Sequence, residues 1–498
     1  MSINIFVDSH GGNVIGAIAE DKKLIEYRIE KKNKTVTIGS VFKGRVENVL
    51  PGMQAAFVSV GLQKNGYLSA TDMLMDKSEL VGKVEIPSIL NLKEGDEIIV
   101  QAVKDPAGNK GVRLTTNISF AARYVVFMPT IDFLGVSRKI TNEKAREKLV
   151  KIAEALKPEG QGIILRTAAE HASKADIKRE ITYLIEQYEQ ILKDFNSDNA
   201  PKCLYEEGNV AVRLIRDAYN SNISKFIVGD KEIYEKVLEY AKKFDTELKH
   251  KLKLYNKKID MFHYYGLDED VTTLLGNTVA LENGGYIVID KTEALTSIDV
   301  NTGKYVGDDN LENTVFNTNL IAAKEIARQL MLRNIAGIII VDFIDMTSDE
   351  HKEQLLSILE EYLSKDREKC HVVGMSPLGL VEITRKKKRR ESTSMLVKSC
   401  PYCQGSGLIW SNEYIVMRIR TGLLDLFADG YDTAIVDLNV EIADYILAKG
   451  ILKKDVEKIW KDKRIYIIPH KTYHQQFFLI KGDNGKVVEV PDTATLLY

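Results

Sequence analysis

The sequence predicts a multidomain α/β protein with a small β-barrel near its N-terminus. Three observations carry that reading. The 498 residues exceed what one simple hydrophobic core spans. From about 36 to 118 the chain breaks into short β-rich segments separated by Gly, Asn and Pro. From 279 to 375, strand-like apolar runs alternate with helical stretches, as in an α/β layer.

Composition narrows the function classes. Hydrophobic residues make up 44% and charged residues 28%, and 69 basic against 71 acidic side chains leave a net charge of −2. Overall charge therefore supplies no attraction to nucleic acid, and any such binding must use local basic patches. No apolar run approaches the roughly 20 residues of a membrane span. The start "MSINIFVDSHGG" lacks the basic n-region and long apolar stretch of a signal peptide. Four cysteines in this length do not make a disulfide framework, so a reducing cytoplasm is expected.

Taken in order, residues 3–7 and 14–19 flank "DSHGGN" and predict a short hairpin. In the barrel, Phe57 and Tyr67 lie on β segments with Lys43, Arg45, Lys64 and Lys110 nearby. Rings among cations suit a nucleic-acid face. Aromatics also favour strands in general, and on pattern alone a place in the barrel core ranks first. "GQGIILRTAAEHASKADIKREITYLIEQYEQILKDF" reads as a short strand followed by a long helix. Arg166 and Thr167 fall at the junction, where Thr167 is placed to cap the helix, either as an anion site or as a plain cap beside a solvated arginine. "NVAVRLIRDAYNSNISKFIVGD" and "KEIYEKVLEYAKKF" read as a further strand and helix.

In the α/β layer, "GYIVID" and "ALTSIDV" form a hairpin over "KTE". A helix runs roughly from 312 to 332, then comes the strand "GIIIVDF" and a helix from about 348, with Thr347 and Glu350 fitting a capping box. "CHVVGM" is a further strand. Six consecutive basic residues at 385–390 and the motif "CPYCQGSG" follow, then a mixed α/β tail over 412–498.

Asp299 and Asp342 interrupt apolar strands. A lone buried carboxylate would cost several kcal/mol, so each must be exposed, neutralised or ligating a metal. Either they end strands in turns, or they meet at the sheet end and form an oxygen-rich pocket suited to Mg²⁺. Asn301, two residues beyond Asp299, points to the same side of an extended strand. Asp345 is expected as a turn residue or a supporting group. The basic run favours the metal reading, because cations beside carboxylates suit phosphodiester hydrolysis. Cys400 and Cys403 supply two of the four ligands of a structural zinc. Pro401 and the following glycines argue against a redox pair. His470 and His474 could complete a site within the chain, although nothing in the sequence ties them to the cysteines; a second copy would instead close a Cys₄ site, so the motif predicts a homodimer. Cys203 and Cys370 read as buried apolar thiols.

These pieces, in this order, resemble the catalytic part of the RNase E/G family of bacterial endoribonucleases over nearly the whole chain. The resemblance rests on "VFKGRVENVLPGMQAAFVSVG", "LRTA", "GGYIVIDKTEALTSIDVNTGKYVG", "NTNLIAAKEIARQL", "IIVDFIDM", "EITRKKKRRES" and "CPYCQGSG". With no long Pro- and Arg-rich scaffold following, the chain is more similar to the short RNase G type. The resemblance implies an RNase H-like subdomain (1–35 plus 210–278) interrupted by an OB-fold RNA-binding domain (36–118) and a 5′-phosphate sensor domain (119–209). A DNase-I-like catalytic domain (279–398), a zinc-link (399–411) and a small C-terminal domain (412–498) complete it. It implies Asp299 and Asp342 as ligands of a catalytic Mg²⁺, Asn301 as the phosphate-positioning residue, and Phe57 and Tyr67 as base-stacking rings. Lys110 and Arg385 are expected at the RNA, and Arg385 through Arg390 as nearby positive charge. Arg166, Thr167 and the backbone of Val126 are expected to sense a 5′-monophosphate. Cys400 and Cys403 are expected to share Zn²⁺ between protomers of a homodimer, itself paired into a dimer of dimers. The implied reaction is Mg²⁺-dependent hydrolysis of single-stranded, AU-rich RNA leaving 5′-phosphate and 3′-hydroxyl ends. A non-catalytic RNA-binding or assembly protein is the alternative.

Overall fold

The structure, a computed structural model, describes residues 2–32, 38–73, 89–104, 111–218, 222–244, 246–303, 311–386, 391–485 and 490–497. It divides into two compact units, Met1–Val397 and Lys398–Tyr498.

In the first unit, strands Ile3–His10, Asn13–Glu20 and Lys23–Lys31 run antiparallel, with Gly11 and Gly12 at positive φ in the first turn. Strand Ile223–Val228 adds parallel to the first of them, and Leu252–Leu254 extends the sheet. Residues from both ends of the barrel-containing segment thus share one sheet. Val210–Ala218, expected as strand, is a helix: Val210, Ala211, Leu214, Ile215 and Ala218 are buried at helical spacing. Its Val210 and Leu214 lie directly on Gly16, where any side chain would collide with them.

Strands Val41–Leu50, Ala55–Ser59, Gly66–Ser69, Arg113–Thr115 and Glu97–Lys104 form the barrel, closed by pairing of the first with the last. Phe42, Val46, Val58, Leu68, Val100 and Leu114 fill it. A third sheet orders Leu134–Val136, Gly162–Leu165, Val125–Met128 and Phe120–Ala121 under helices Glu143–Leu156 and Lys174–Ser197. The long helix is capped by Ser173, not Thr167: the Ser173 hydroxyl accepts from the Asp176 amide in an S-x-x-D box, whereas Thr167 opens a short 3₁₀ turn.

The fourth sheet orders Thr278–Ala280, Tyr286–Lys291, Leu295–Asn301, Gly337–Asp342, Leu380–Arg385 and Cys370–Met375. Only the central pair, Leu295–Asn301 and Gly337–Asp342, is parallel. Helices Leu311–Arg333 and Asp349–Ser364 pack on one face, over Ile298, Val300, Ile339, Val341 and Ile383. The second of these is capped by Ser348 rather than Thr347, whose hydroxyl is taken by Glu312.

The second unit has parallel strands Thr433–Asn439 and Arg464–His470 flanked by Phe478–Asp483 and Thr495–Leu496. Helices Asn412–Ala428 and Val440–Ala448 contribute Ile415, Ile419, Leu423, Ile442 and Ile446 to its core. Among the described residues no helix is long and apolar enough to cross a membrane.

Candidate active site and nucleic-acid interface

Ile298 and Val300, like Val341 and Phe343, turn into the core, so the alternation of a strand turns Asp299 and Asp342 outward. The two aspartates are register partners across the parallel pair. Adjacent strands run roughly 4.8 Å apart, which sets the two exposed carboxylates side by side on the sheet's open face. Asn301 follows on the same side and donates from Nδ2 to Asp299 Oδ2 at 2.8 Å. Among the described residues neither aspartate is paired with a cation. Asp345 is exposed in the loop beyond the strand.

This donor set fits Mg²⁺. A hard cation that retains several waters needs only one or two protein carboxylates plus substrate phosphate. Among the described residues no group of three or more His, Cys, Asp or Glu is placed to hold a metal, so a fully protein-built cage is not what this site offers.

Arg385 does not reach this face. Its side chain is only 2% exposed and donates from Nε to Asp366 Oδ2 at 2.7 Å and from Nη1 to Asn334 Oδ1 and the Ile335 carbonyl, both at 2.9 Å. The alternation that turns Ile383 inward also buries Arg385, so the expectation that it contacts RNA is corrected to a structural ion pair. Lys386 is exposed, and residues 387–390 lie outside the described residues. Asp366→Ala would leave the Arg385 guanidinium buried without its counter-charge; urea unfolding should show a loss of about 3–5 kcal/mol.

Phe57 and Tyr67 are not barrel core, the place that pattern alone ranked first. Both are half-buried between inward Ala56, Val58, Gly66 and Leu68. They face each other in register, ring centroids 6.0 Å apart and edge to face. Arg113, which the sequence reading passed over, is the register neighbour of Tyr67 and is clasped by Asp72. A cation on the same strand parity as the ring was the signal that could have found it. Lys43 points the other way: it is buried and donates to the Phe195 and Asp198 carbonyls, beside Glu97. Lys110 lies outside the described residues.

Arg166 leaves the end of strand Gly162–Leu165, its amide bonded to the Tyr124 carbonyl, and Val126 sits two positions along that neighbouring strand opposite Ile164. The Arg166 guanidinium donates to the Ala122 carbonyl at 2.6 Å and to Asp217 Oδ1 at 3.0 Å. The exposed Thr167 hydroxyl meets Ser137 Oγ at 3.0 Å. Burial opposes ionisation of Asp217, but the Arg216 and Arg166 guanidiniums outweigh it and hold its carboxyl well below the usual range. Nearby Glu180 is pushed up to about 7 by burial, although the Arg123 and Tyr124 amides donate to it. Because the long helix starts only at Lys174, an anion here would be met by the guanidinium and hydroxyl rather than by a helix terminus.

Arg166 and Thr167 open onto a cleft of about 3090 Å³ that also reaches Lys64 and Lys104 of the barrel and Lys139, Arg367 and Lys386. Basic side chains outnumber acidic ones along its walls. Asp299 and Asp342 lie outside this cleft, on the open sheet face.

In the second unit, Gly405 and Gly407 take positive φ in the turn after Cys403. Their amides point at the Cys403 sulfur, Gly407 N at 3.4 Å, and hold that thiol below its ordinary value. Amides aimed at sulfur are the setting of a thiolate ligand. His474 comes close after all, its ring 4.1 Å from that of Tyr402. Both its nitrogens are taken, however, Nε2 by the Tyr402 carbonyl and Nδ1 by the Gln476 amide. His470 Nε2 is bonded to Asp437. Two thiols held in such a turn suit a structural zinc, which takes four ligands in all. Cys203 is exposed and Cys370 is half-buried with its thiol on Asp366, which corrects the reading of both as buried apolar groups.

A family model described as the Ribonuclease E/G family matches residues 119–388. Ribonuclease G of Haemophilus influenzae is 38% identical over 474 residues, covering 93% of this chain and 96% of that protein. Ribonuclease G of Escherichia coli (strain K12) is 36% identical, covering 91% and 94%. Ribonuclease E of Haemophilus influenzae is 32% identical over 91% of this chain but 49% of its own length. A multidomain α/β chain with a closed barrel and this kinship is, by class, a hydrolase of the endoribonuclease kind. The chain belongs to the Ribonuclease E/G family, and within it is of the ribonuclease G type.

Proposed function

We propose that this chain is a Mg²⁺-dependent endoribonuclease of RNA processing and mRNA decay, cleaving single-stranded, AU-rich RNA to 5′-phosphate and 3′-hydroxyl ends. The observation that carries the reading is the register pairing of exposed Asp299 with Asp342, with Asn301 bonded alongside. Asp299 and Asp342 would hold Mg²⁺, which when bound supplies a Lewis acid for the phosphoryl oxygens and a lowered water pKa. The Asn301 amide orients Asp299 and presents a donor toward the phosphate. Phe57 and Tyr67 offer an outward aromatic face on which unstacked bases can lie, which selects single strands. Arg166 and Thr167, beside Val126 at the edge of the basic cleft, would form the anion site that meets a 5′-monophosphate. Cys400 and Cys403 would share Zn²⁺ with a second copy, giving a homodimer that pairs again into a dimer of dimers in the cytoplasm. Exposed Leu408, Trp410, Tyr414 and Met417 near the motif support a partner there.

The test compares matched oligonucleotides bearing a 5′-monophosphate or a 5′-hydroxyl across a Mg²⁺ titration. Cleavage should require Mg²⁺ and run faster on the monophosphorylated RNA. Salt-sensitive binding without turnover would instead identify an RNA-binding protein.

A further inference from the structure

We propose that Asn319 and Thr318, on the buried side of helix Leu311–Arg333, are positioning residues that hold the two loops flanking the Asp299–Asp342 pair. Both are fully buried. Asn and Thr are poor formers of a helix interior, so their presence there needs a tertiary reason.

Ladder pairing of the strand that carries Asp342 ends at that residue. The next peptide units dive beneath the helix, with Phe343 and Met346 buried, and would leave backbone groups unpaired away from water. Asn319 meets them in the manner of a neighbouring strand. Its Nδ2 donates to the Ile344 carbonyl at 2.8 Å, and its Oδ1 accepts from the Ile344 amide at 3.1 Å. With the peptide two residues on clamped from both sides, the backbone at Asp342 cannot rotate freely, and its carboxylate keeps its direction. Glu312, a helix position nearer the N-terminus, grips the same loop by accepting from the Thr347 and Ser348 amides.

Thr318 does the corresponding work on the other side. Its hydroxyl donates to the Thr314 carbonyl and accepts from Asn283 Nδ2 at 3.0 Å. Asn283 Oδ1 in turn accepts from the Gly285 amide. Gly285 precedes Tyr286, the register partner of Asn301. Two adjacent residues of one helix thus anchor the loop beside Asn301 and the loop beside Asp342.

The inference rests on the reading of Asp299 and Asp342 as the reacting-site carboxylates. It is tested with full-length Asn319→Leu, Thr318→Val, Leu330→Ala and Asp342→Asn proteins. Asn319→Leu should lower kcat roughly 10–100-fold, with KM for RNA little changed and the Mg²⁺ midpoint raised, as expected when a ligand's support is lost. Amide exchange over 343–348 should accelerate at a temperature where the protein remains folded. Leu330→Ala, buried in the same helix but away from the loops, should lose stability with wild-type kcat and Mg²⁺ midpoint. A folded Asn319→Leu protein with wild-type kcat overturns the inference. Should that variant not fold, Thr318→Val decides: faster exchange over 281–286 with reduced kcat supports it, and unchanged kcat overturns it. Asp342→Asn separates the two levels, since an active Asp342→Asn enzyme sinks the underlying reading whatever Asn319 does.

Discussion

Asp342→Asn should abolish most cleavage while leaving RNA bound. The substitution keeps the shape of an exposed side chain and removes a full negative charge from the pair. If that charge holds a cation worth several kcal/mol to the transition state, single-turnover cleavage should fall by about 10³-fold or more. Affinity for the same oligonucleotide, read by fluorescence anisotropy in Ca²⁺, should change little, because the aromatic face and the basic cleft are elsewhere in the unit. Asp342 is a cleaner probe than Asp299, whose carboxylate also accepts the Asn301 hydrogen bond. Cleavage at the wild-type rate in the variant would refute the assignment of the site.

Cys403→Ser should remove zinc and, with it, the dimer. In the proposed shared site each chain contributes two thiols, while both His474 nitrogens and His470 Nε2 serve other hydrogen bonds. The purified wild-type protein should therefore carry about half a zinc per chain. In the variant, zinc should be absent by elemental analysis, and light scattering should report the mass of one chain. His474→Ala should retain the metal, since one ring nitrogen serves the Tyr402 carbonyl and the other the Gln476 amide. A ratio of one zinc per chain, or a dimer that persists without metal, would overturn the shared site.

Much of the candidate site was legible because its signals are local. Asp299 and Asp342 announce themselves by interrupting apolar runs, and strand alternation puts Asn301 on the side of Asp299 without any three-dimensional information. The C-x-x-C with its glycines likewise declares a tight turn around sulfur. Where the reading failed, a second chain segment decided the outcome. Arg385 heads a basic run and was expected at the RNA, yet strand parity turns it inward, where Asp366 and Asn334 hold it. Thr167 looked like a helix cap, but Ser137 takes its hydroxyl and the helix begins later. Val210–Ala218 has the valines of a strand, yet it is a helix whose Val210 and Leu214 pack on Gly16. The ordering of Phe57 and Tyr67 as core failed because aromatic content marks a strand without saying which of its faces is wet.

By itself the sequence determined the barrel, the α/β layer, the aspartates that interrupt its strands and the paired cysteines, all of which follow from periodicity and residue chemistry within short windows. Only the tertiary structure decided that Asp299 stands opposite Asp342, that one helix bonds the loops beside both, and that His474 packs on Tyr402 with no nitrogen to spare. Register and hydrogen-bond partners depend on which distant segments pack together, and no local pattern encodes the competition among them.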